Sequence, residues 1–323
     1  MWLEADDREE KFMSFSSDVK RELSQVVSKD PYDCASEIAA LILFGGEVGR
    51  NEEGIPTVVF HTENPLIAER FMRLAETLGT DACGMDIPHC YTVADHARRI
   101  ALLRTCGFMD NLGRIVDEED IFHNHLLQKN SCQRAFLRGA FLASGSVTDP
   151  NKNYHFEITC DNETLAELLR QQMEYFGLDA KIVRRKKYYV VYMKEGAMIS
   201  DILAVMSGHI SKLNFENIRI YKDVRNVINR RVNCETANIN KTVSASRKQI
   251  EDIKYIQDTI GFGRLPEPLR EVACARLEDP SASLKELGQN LEHPVGKSGV
   301  NHRLRKLSQI AQEIRDKHRI KDN

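Results

Sequence analysis

No apolar run in this 323-residue chain approaches the roughly 18 to 20 residues that a membrane-crossing helix needs. The start, Met1-Trp-Leu-Glu-Ala-Asp-Asp-Arg-Glu-Glu10, has neither the basic nor the apolar stretch of a secretory leader, so the expected location is the cytoplasm. There is no C-x-x-C pair either. The eight cysteines (34, 83, 90, 106, 132, 160, 234 and 274) are scattered along the chain, which excludes a disulfide-stapled scaffold and reads as reduced, mostly buried thiols. Cys83 and Cys90 with His89 and His96 match no zinc spacing, and His123-Asn-His125 reads as a surface loop, so no metal site and no cofactor are expected. Hydrophobic residues at 42%, charged residues at 29% and a mean hydropathy of −0.41 are the balance of a globular protein and exclude wholesale disorder. The length predicts two folded units.

Charge is unevenly placed. Residues 230–323 carry 18 basic and 13 acidic side chains, a net of +5, which leaves −8 on residues 1–229. A basic end on an acidic body is the distribution expected when one end meets nucleic acid, because phosphate contacts supply most non-specific affinity.

The first two thirds contain a repeat. Shifted by 98 residues, Asn64, Ala68, Glu69, Glu76, Gly79, Asp81, Ala82, Tyr91 and Val93 fall on Asn162, Ala166, Glu167, Glu174, Gly177, Asp179, Ala180, Tyr189 and Val191. Nine identities in thirty positions exceed the roughly two expected of unrelated sequences, and indicate a tandem duplication. Each copy has a β-prone run (Val58–His61, Phe156–Thr159) and a helix-periodic stretch (Pro65–Leu78, Glu163–Phe176) that stops at a glycine, Gly79 or Gly177, where a left-handed residue is wanted. In the second copy Lys181–Arg185 and Tyr188–Met193 flank a short basic turn, as in a hairpin. The run Arg184-Arg-Lys-Lys187 reads as a solvated hairpin tip.

Ahead of each copy stands an apolar, helix-like segment running into a glycine, Ala39–Glu47 and Leu137–Ser146, 99 residues apart. Here the chain resembles the LAGLIDADG homing-endonuclease fold, in which two such helices pack side by side and small residues let their backbones approach. The resemblance puts Ala40 and Gly139 at the motif's first glycine and Gly46 and Gly145 at its last. In active enzymes of that family an acid just before the last glycine binds the metal ions that activate water. Those positions are Gly45 and Ser144, and neither supplies a carboxylate, so no catalytic residue is assigned. A competing reading, a metal-dependent endonuclease or maturase built on unconventional acids such as Glu47, remains open at this point.

The C-terminal third is helix-periodic throughout. Asn214–Arg231 is expected to be a helix, Asn233–Asn240 a polar linker, and Lys241–Thr259 and Pro266–Leu277 two more helices. Ser283-Leu-Lys-Glu286 is a capping box that opens Leu284–Leu291, and His293-Pro294 opposes its continuation. The following helix places Val300, Leu304, Leu307, Ala311 and Ile314 on one narrow face. Asn301, His302, Arg305, Gln309 and Gln312 point away from it, with Arg303 and Lys306 on the flanks. This is the arrangement a helix-turn-helix uses to enter the major groove of double-stranded DNA. Asn pairs with adenine and Arg with guanine, while Lys297, Ser298 and the first amides hold phosphate, giving an expected contact set of Lys297, Ser298, Asn301, His302, Arg303, Arg305, Lys306 and Gln309.

Ser283–Leu307, and above all Lys297-Ser-Gly-Val-Asn-His-Arg-Leu-Arg-Lys-Leu307, closely resembles the C-terminal domain of the WhiA family, which is similar to the fourth region of bacterial sigma factors. The resemblance extends from Met13 onward, through Ser14–Leu23 and Val232–Lys241. It implies an α+β protein: a degenerate αββαββ LAGLIDADG-like saddle at 13–215 with repeats near 34–107 and 132–207, a helical and polar linker at 216–240, and a helix-turn-helix domain at 241–323 with its motif near 283–315. Residues 1–12 are read as an acidic extension. The family further implies a non-enzymatic, nucleoid-associated regulator of transcription, tied to sporulation in spore formers and to cell division and chromosome segregation elsewhere. A second transcription or division protein is the other partner it suggests; no membrane is implied, and oligomeric state is left open.

Overall fold

The computed structural model describes residues 14–122 and 127–321; the acidic extension and His123–His125 lie outside them. The chain divides into two compact units, with the boundary between Asp223 and Val224.

In the first unit, α1 (Phe15–Ser24) starts at Ser14, whose hydroxyl accepts the Ser17 amide at 3.2 Å, and buries Val19 and Leu23. Then come α2 (Pro31–Gly45), β1 (Gly46–Arg50), β2 (Pro56–His61), α3 (Pro65–Thr77), β3 (Ala82–Gly84), β4 (Cys90–Val93), α4 (His96–Thr105) and α5 (Glu118–Phe122). The second copy follows with α6 (Asn130–Ser144), β5 (Gly145–Val147), β6 (Phe156–Cys160), α7 (Glu163–Tyr175), β7 (Lys181–Arg185), β8 (Tyr188–Met193) and α8 (Gly196–Val205). The αββαββ duplication is thus present, and the two antiparallel sheets share one topology, β1-β2-β4-β3 and β5-β6-β8-β7.

The repeated punctuation has a structural cause. Asn64 and Asn162 are the N-caps of α3 and α7, their side chains accepting the Leu66 and Leu165 amides at 3.1 and 2.8 Å. Gly79 and Gly177 follow the same helices with φ of +72° and +73°, a backbone that any side chain would strain. The basic turn between β7 and β8 is a two-residue hairpin loop, with Arg185 opposite Tyr188 and Lys186 at φ +57°.

The core is built on the crossing of α2 and α6. A Cβ placed on Gly139 would sit 2.5 Å from the Glu37 carbonyl oxygen and 2.9 Å from the Ala40 Cβ, so only glycine permits this approach. At the crossing lies a buried polar cluster that periodicity did not disclose. Glu37 accepts from Arg70 Nε and Nη2 at 2.8 and 2.7 Å, and from Arg138 Nε and Nη2 at 3.0 and 2.7 Å. Burial pushes the Glu37 carboxyl upward in pKa, but the attraction of Arg138 and the hydrogen bonds and charge of Arg70 outweigh it and hold the group below the ordinary carboxylate value.

The second unit corrects one expectation. Asn233–Asn240 does not break the helix: α9 (His209–Thr259) is a single 51-residue helix that runs through it. Its stretch of Asn and Thr residues has low helix propensity, but it contains neither glycine nor proline, so nothing interrupts the hydrogen-bond ladder. A short 3-10 turn (Phe262–Arg264), α10 (Glu267–Glu278), α11 (Leu284–Gln289) and α12 (Lys297–Lys321) complete the chain. Ile253, Ile256, Val272, Leu287, Val300, Leu304 and Leu307 form a separate core. The capping box is present in both directions: Ser283 Oγ accepts the Glu286 amide at 3.3 Å and Glu286 Oε2 accepts the Ser283 amide at 2.7 Å. Among the described residues no helix is long and apolar enough to cross a membrane.

Candidate nucleic-acid interface

The helix-turn-helix consists of α11, the turn at 290–296, and α12. Its angle is set where the turn meets α11. Val295 donates its amide to the Gly288 carbonyl at 3.0 Å, and a Cβ on Gly288 would lie 2.2 Å from the Val295 carbonyl oxygen. Glycine at 288 therefore brings the two helices together, a requirement not evident from periodicity alone.

On α12 the apolar stripe faces inward: Val300, Leu304, Leu307 and Ala311 are buried, and Ile314 packs at their edge. The far half is clamped to α9, where Arg315 reaches Asp252 at 2.8 Å and covers the Tyr255 ring at 4.8 Å. With one side fixed, the opposite side is presented to solvent. Lys297, Ser298, His302, Arg305, Lys306 and Gln309 are exposed along it, and Asn301 is half-buried. Arg305 has no carboxylate partner among the described residues, so its guanidinium fork is free for a base edge. Among the described residues Lys306 makes only a long 3.4 Å contact to Gln309.

Arg303 differs from the rest of the expected set. It turns toward α10, its Nη1 lying 3.8 Å from Glu271 Oε2, with both side chains about one-fifth exposed. Glu271 also accepts the Glu292 and His293 amides in the turn, so Arg303 joins the contacts that hold the turn in place.

The positions that carry acids in homing endonucleases lie at the ends of α2 and α6. A Cβ at Gly45 would come within 3.1 Å of the Phe60 ring and 3.2 Å of the Ala143 Cβ, so even the stem of a carboxylate is crowded there. The Ser144 hydroxyl is committed, donating to the Thr159 carbonyl at 2.8 Å. Lys20 donates from its ammonium to the Leu142 carbonyl at 3.2 Å near the end of α6, and burial lowers its pKa to about 8. Glu47 is exposed on β1 opposite Val59, and its counterpart in the second copy is the exposed Ser146 on β5, which carries no carboxylate. Among the described residues no three His, Cys, Asp or Glu side chains gather as a metal would require. The donor set does not fit the divalent ions of homing-endonuclease chemistry.

In the hairpin tip Arg185 pairs with Glu157 at 2.8 Å, and Lys187 lies 4.8 Å over the Tyr188 ring.

Comparison with known proteins follows the same division. A model of the WhiA LAGLIDADG-like domain matches residues 133–225, and one of the WhiA C-terminal HTH domain matches residues 228–311. The chain is 43% identical over 312 residues to a protein of Lachnoclostridium phytofermentans named probable cell division protein WhiA, covering 94% of this chain and all of that one. A protein of the same name from Clostridium acetobutylicum is 43% identical over 320 residues, covering 95% of this chain and 100% of its own. The crystal structure of full-length WhiA from Thermotoga maritima superposes with a TM-score of 0.58 at 24% identity, covering 93% of this chain and 99% of that one, and so shares the fold. With both domain models matched in order and such relatives along nearly its whole length, the chain belongs to the WhiA family.

Proposed function

We propose that the protein is a sequence-specific DNA-binding regulator of transcription that acts without catalysis, with α12 as its reading helix and the LAGLIDADG-like unit as scaffold or docking platform. The observation that carries this reading is the two-sidedness of α12: a buried apolar stripe fixes the helix, while Arg305, Asn301, His302 and Gln309 face outward at a spacing that suits successive base edges. Lys297 and Ser298 stand at its N-terminus, where the helix dipole and free amides favour phosphate. The crowded Gly45 and the committed Ser144 support a non-catalytic role for the front unit. The name shared by its relatives supports a part in cell division, exercised at the nucleoid. A gel-shift series with full-length protein tests the reading: wild type should prefer the genomic fragments it protects in a footprint, and Asn301→Ala with Arg305→Ala should bind those fragments no better than unrelated duplex.

A further inference from the structure

The second unit contains a groove of about 510 Å³ between α9, the α10–α11 junction and the start of α12. Four cations line it, Lys241, Arg276, Lys285 and Lys297, and among the described residues no aspartate or glutamate does. None of the four forms an ion pair among the described residues. Arg276 is only 3% exposed; its Nη1 donates to the Ala282 carbonyl at 2.7 Å, but its Nε–H finds no acceptor.

Like charges collected without an ion-paired carboxylate repel one another, and a buried guanidinium with an idle donor has lost hydration there without replacement. Burial indeed pulls the Arg276 pKa down, and Asp279 offsets this only in part. An anion with several oxygens would relieve the repulsion among the cations, and a phosphate suits a guanidinium flanked by ammonium groups. The groove is far larger than one phosphate and shares Lys297 and Asn301 with the reading face of α12. We propose that it is a phosphate-binding site that seats a stretch of sugar-phosphate backbone beside the bases read by α12, extending the interface to Lys241 on α9 and Lys285 on α11. The backbone as source rests on the DNA-binding reading above; the phosphate chemistry itself does not.

The test uses the full-length protein. Lys241 and Lys285 are exposed, so the double variant Lys241→Ala, Lys285→Ala should keep the wild-type melting curve. Its log affinity should fall less steeply with log salt, by about 2 in slope, equally for preferred and unrelated duplex. In a second arm that needs no variant, acylation of Lys241 and Lys285 in wild type, followed by mass spectrometry, should slow several-fold when duplex is added. An unchanged salt slope together with unprotected lysines overturns the site while leaving α12 as reader intact. If wild type binds no duplex at all, the DNA reading fails, and sodium pyrophosphate decides the groove: protection of both lysines identifies a small phosphorylated ligand as the source, and no protection overturns the proposal.

Discussion

Arg138 of the second repeat holds Glu37 of the first through two hydrogen bonds of 2.7 and 3.0 Å, at a helix crossing where neither side chain meets solvent. Arg70 completes the cluster from within the first repeat. The duplication is thus joined by charge as well as by apolar packing. Removing the single carboxylate leaves two buried guanidinium groups uncompensated, so Glu37→Gln should lower unfolding free energy by about 3 to 5 kcal/mol in urea denaturation. A loss below 1 kcal/mol would show that the cluster is not what joins the repeats.

The same carboxylate predicts acid sensitivity. Its folded pKa lies below the ordinary value of 4.5, so its contribution is present above that pH and is lost as pH falls through the folded value. Wild type should lose stability on acidification below pH 4.5 more steeply than Glu37→Gln, followed by circular dichroism.

Lys20 gives the opposite sign. Burial lowers its pKa from 10.5 to about 8, so the folded state carries a penalty for the charged form at neutral pH, relieved as pH rises from about 8 toward 10.5. Wild type should gain stability over that interval relative to Lys20→Met, and Lys20→Met should be the more stable of the two at pH 7. Parallel pH profiles for the two proteins would refute the assignment.

Gly139→Ala drives a methyl group into the Glu37 carbonyl and should cost about 1 to 3 kcal/mol or more. At Gly79 a methyl meets nothing within 4 Å, and the cost of Gly79→Ala arises from its φ of +72° alone, about 1 to 2 kcal/mol. A cavity-creating second change, Ala40→Gly, should restore part of the loss at 139 and none at 79, as read from urea midpoints.

On α12, neighbouring arginines should separate. Arg305→Ala is expected to cost about 1 to 3 kcal/mol of discrimination between preferred and altered duplex and to leave the melting temperature alone. Arg303→Ala should do the reverse, lowering the melting temperature through the lost Glu271 contact while base preference survives. Competition gel shifts alongside thermal melts distinguish them.

Features encoded locally were legible in the sequence. Gly79 and Gly177 as left-handed stops, the Ser283–Glu286 box and the inward stripe of α12 each follow from one residue or one period, and each is found in the structure. What was hidden depends on partners distant in the chain. Glu37 and Arg138 look like ordinary polar positions until α2 and α6 cross, and Arg303 sits on a helix flank whose role is decided by Glu271 from α10. The cationic groove likewise draws Lys241, Arg276 and Lys285 from three separate elements. The Asn233–Asn240 stretch was misread because polarity outweighed a better signal, the absence of any glycine or proline from 209 to 259.

A hydroxyl-radical footprint of full-length protein on genomic DNA in magnesium buffer, repeated with Asn301→Ala, Arg305→Ala, bears most directly on the division of labour between the two units. The expected result is a defined protected sequence on uncut strands, erased in the variant. Protection that survives the double substitution, or strand breaks that disappear with Glu47→Gln, would contradict the assignment of α12 as reader and of the front unit as non-catalytic.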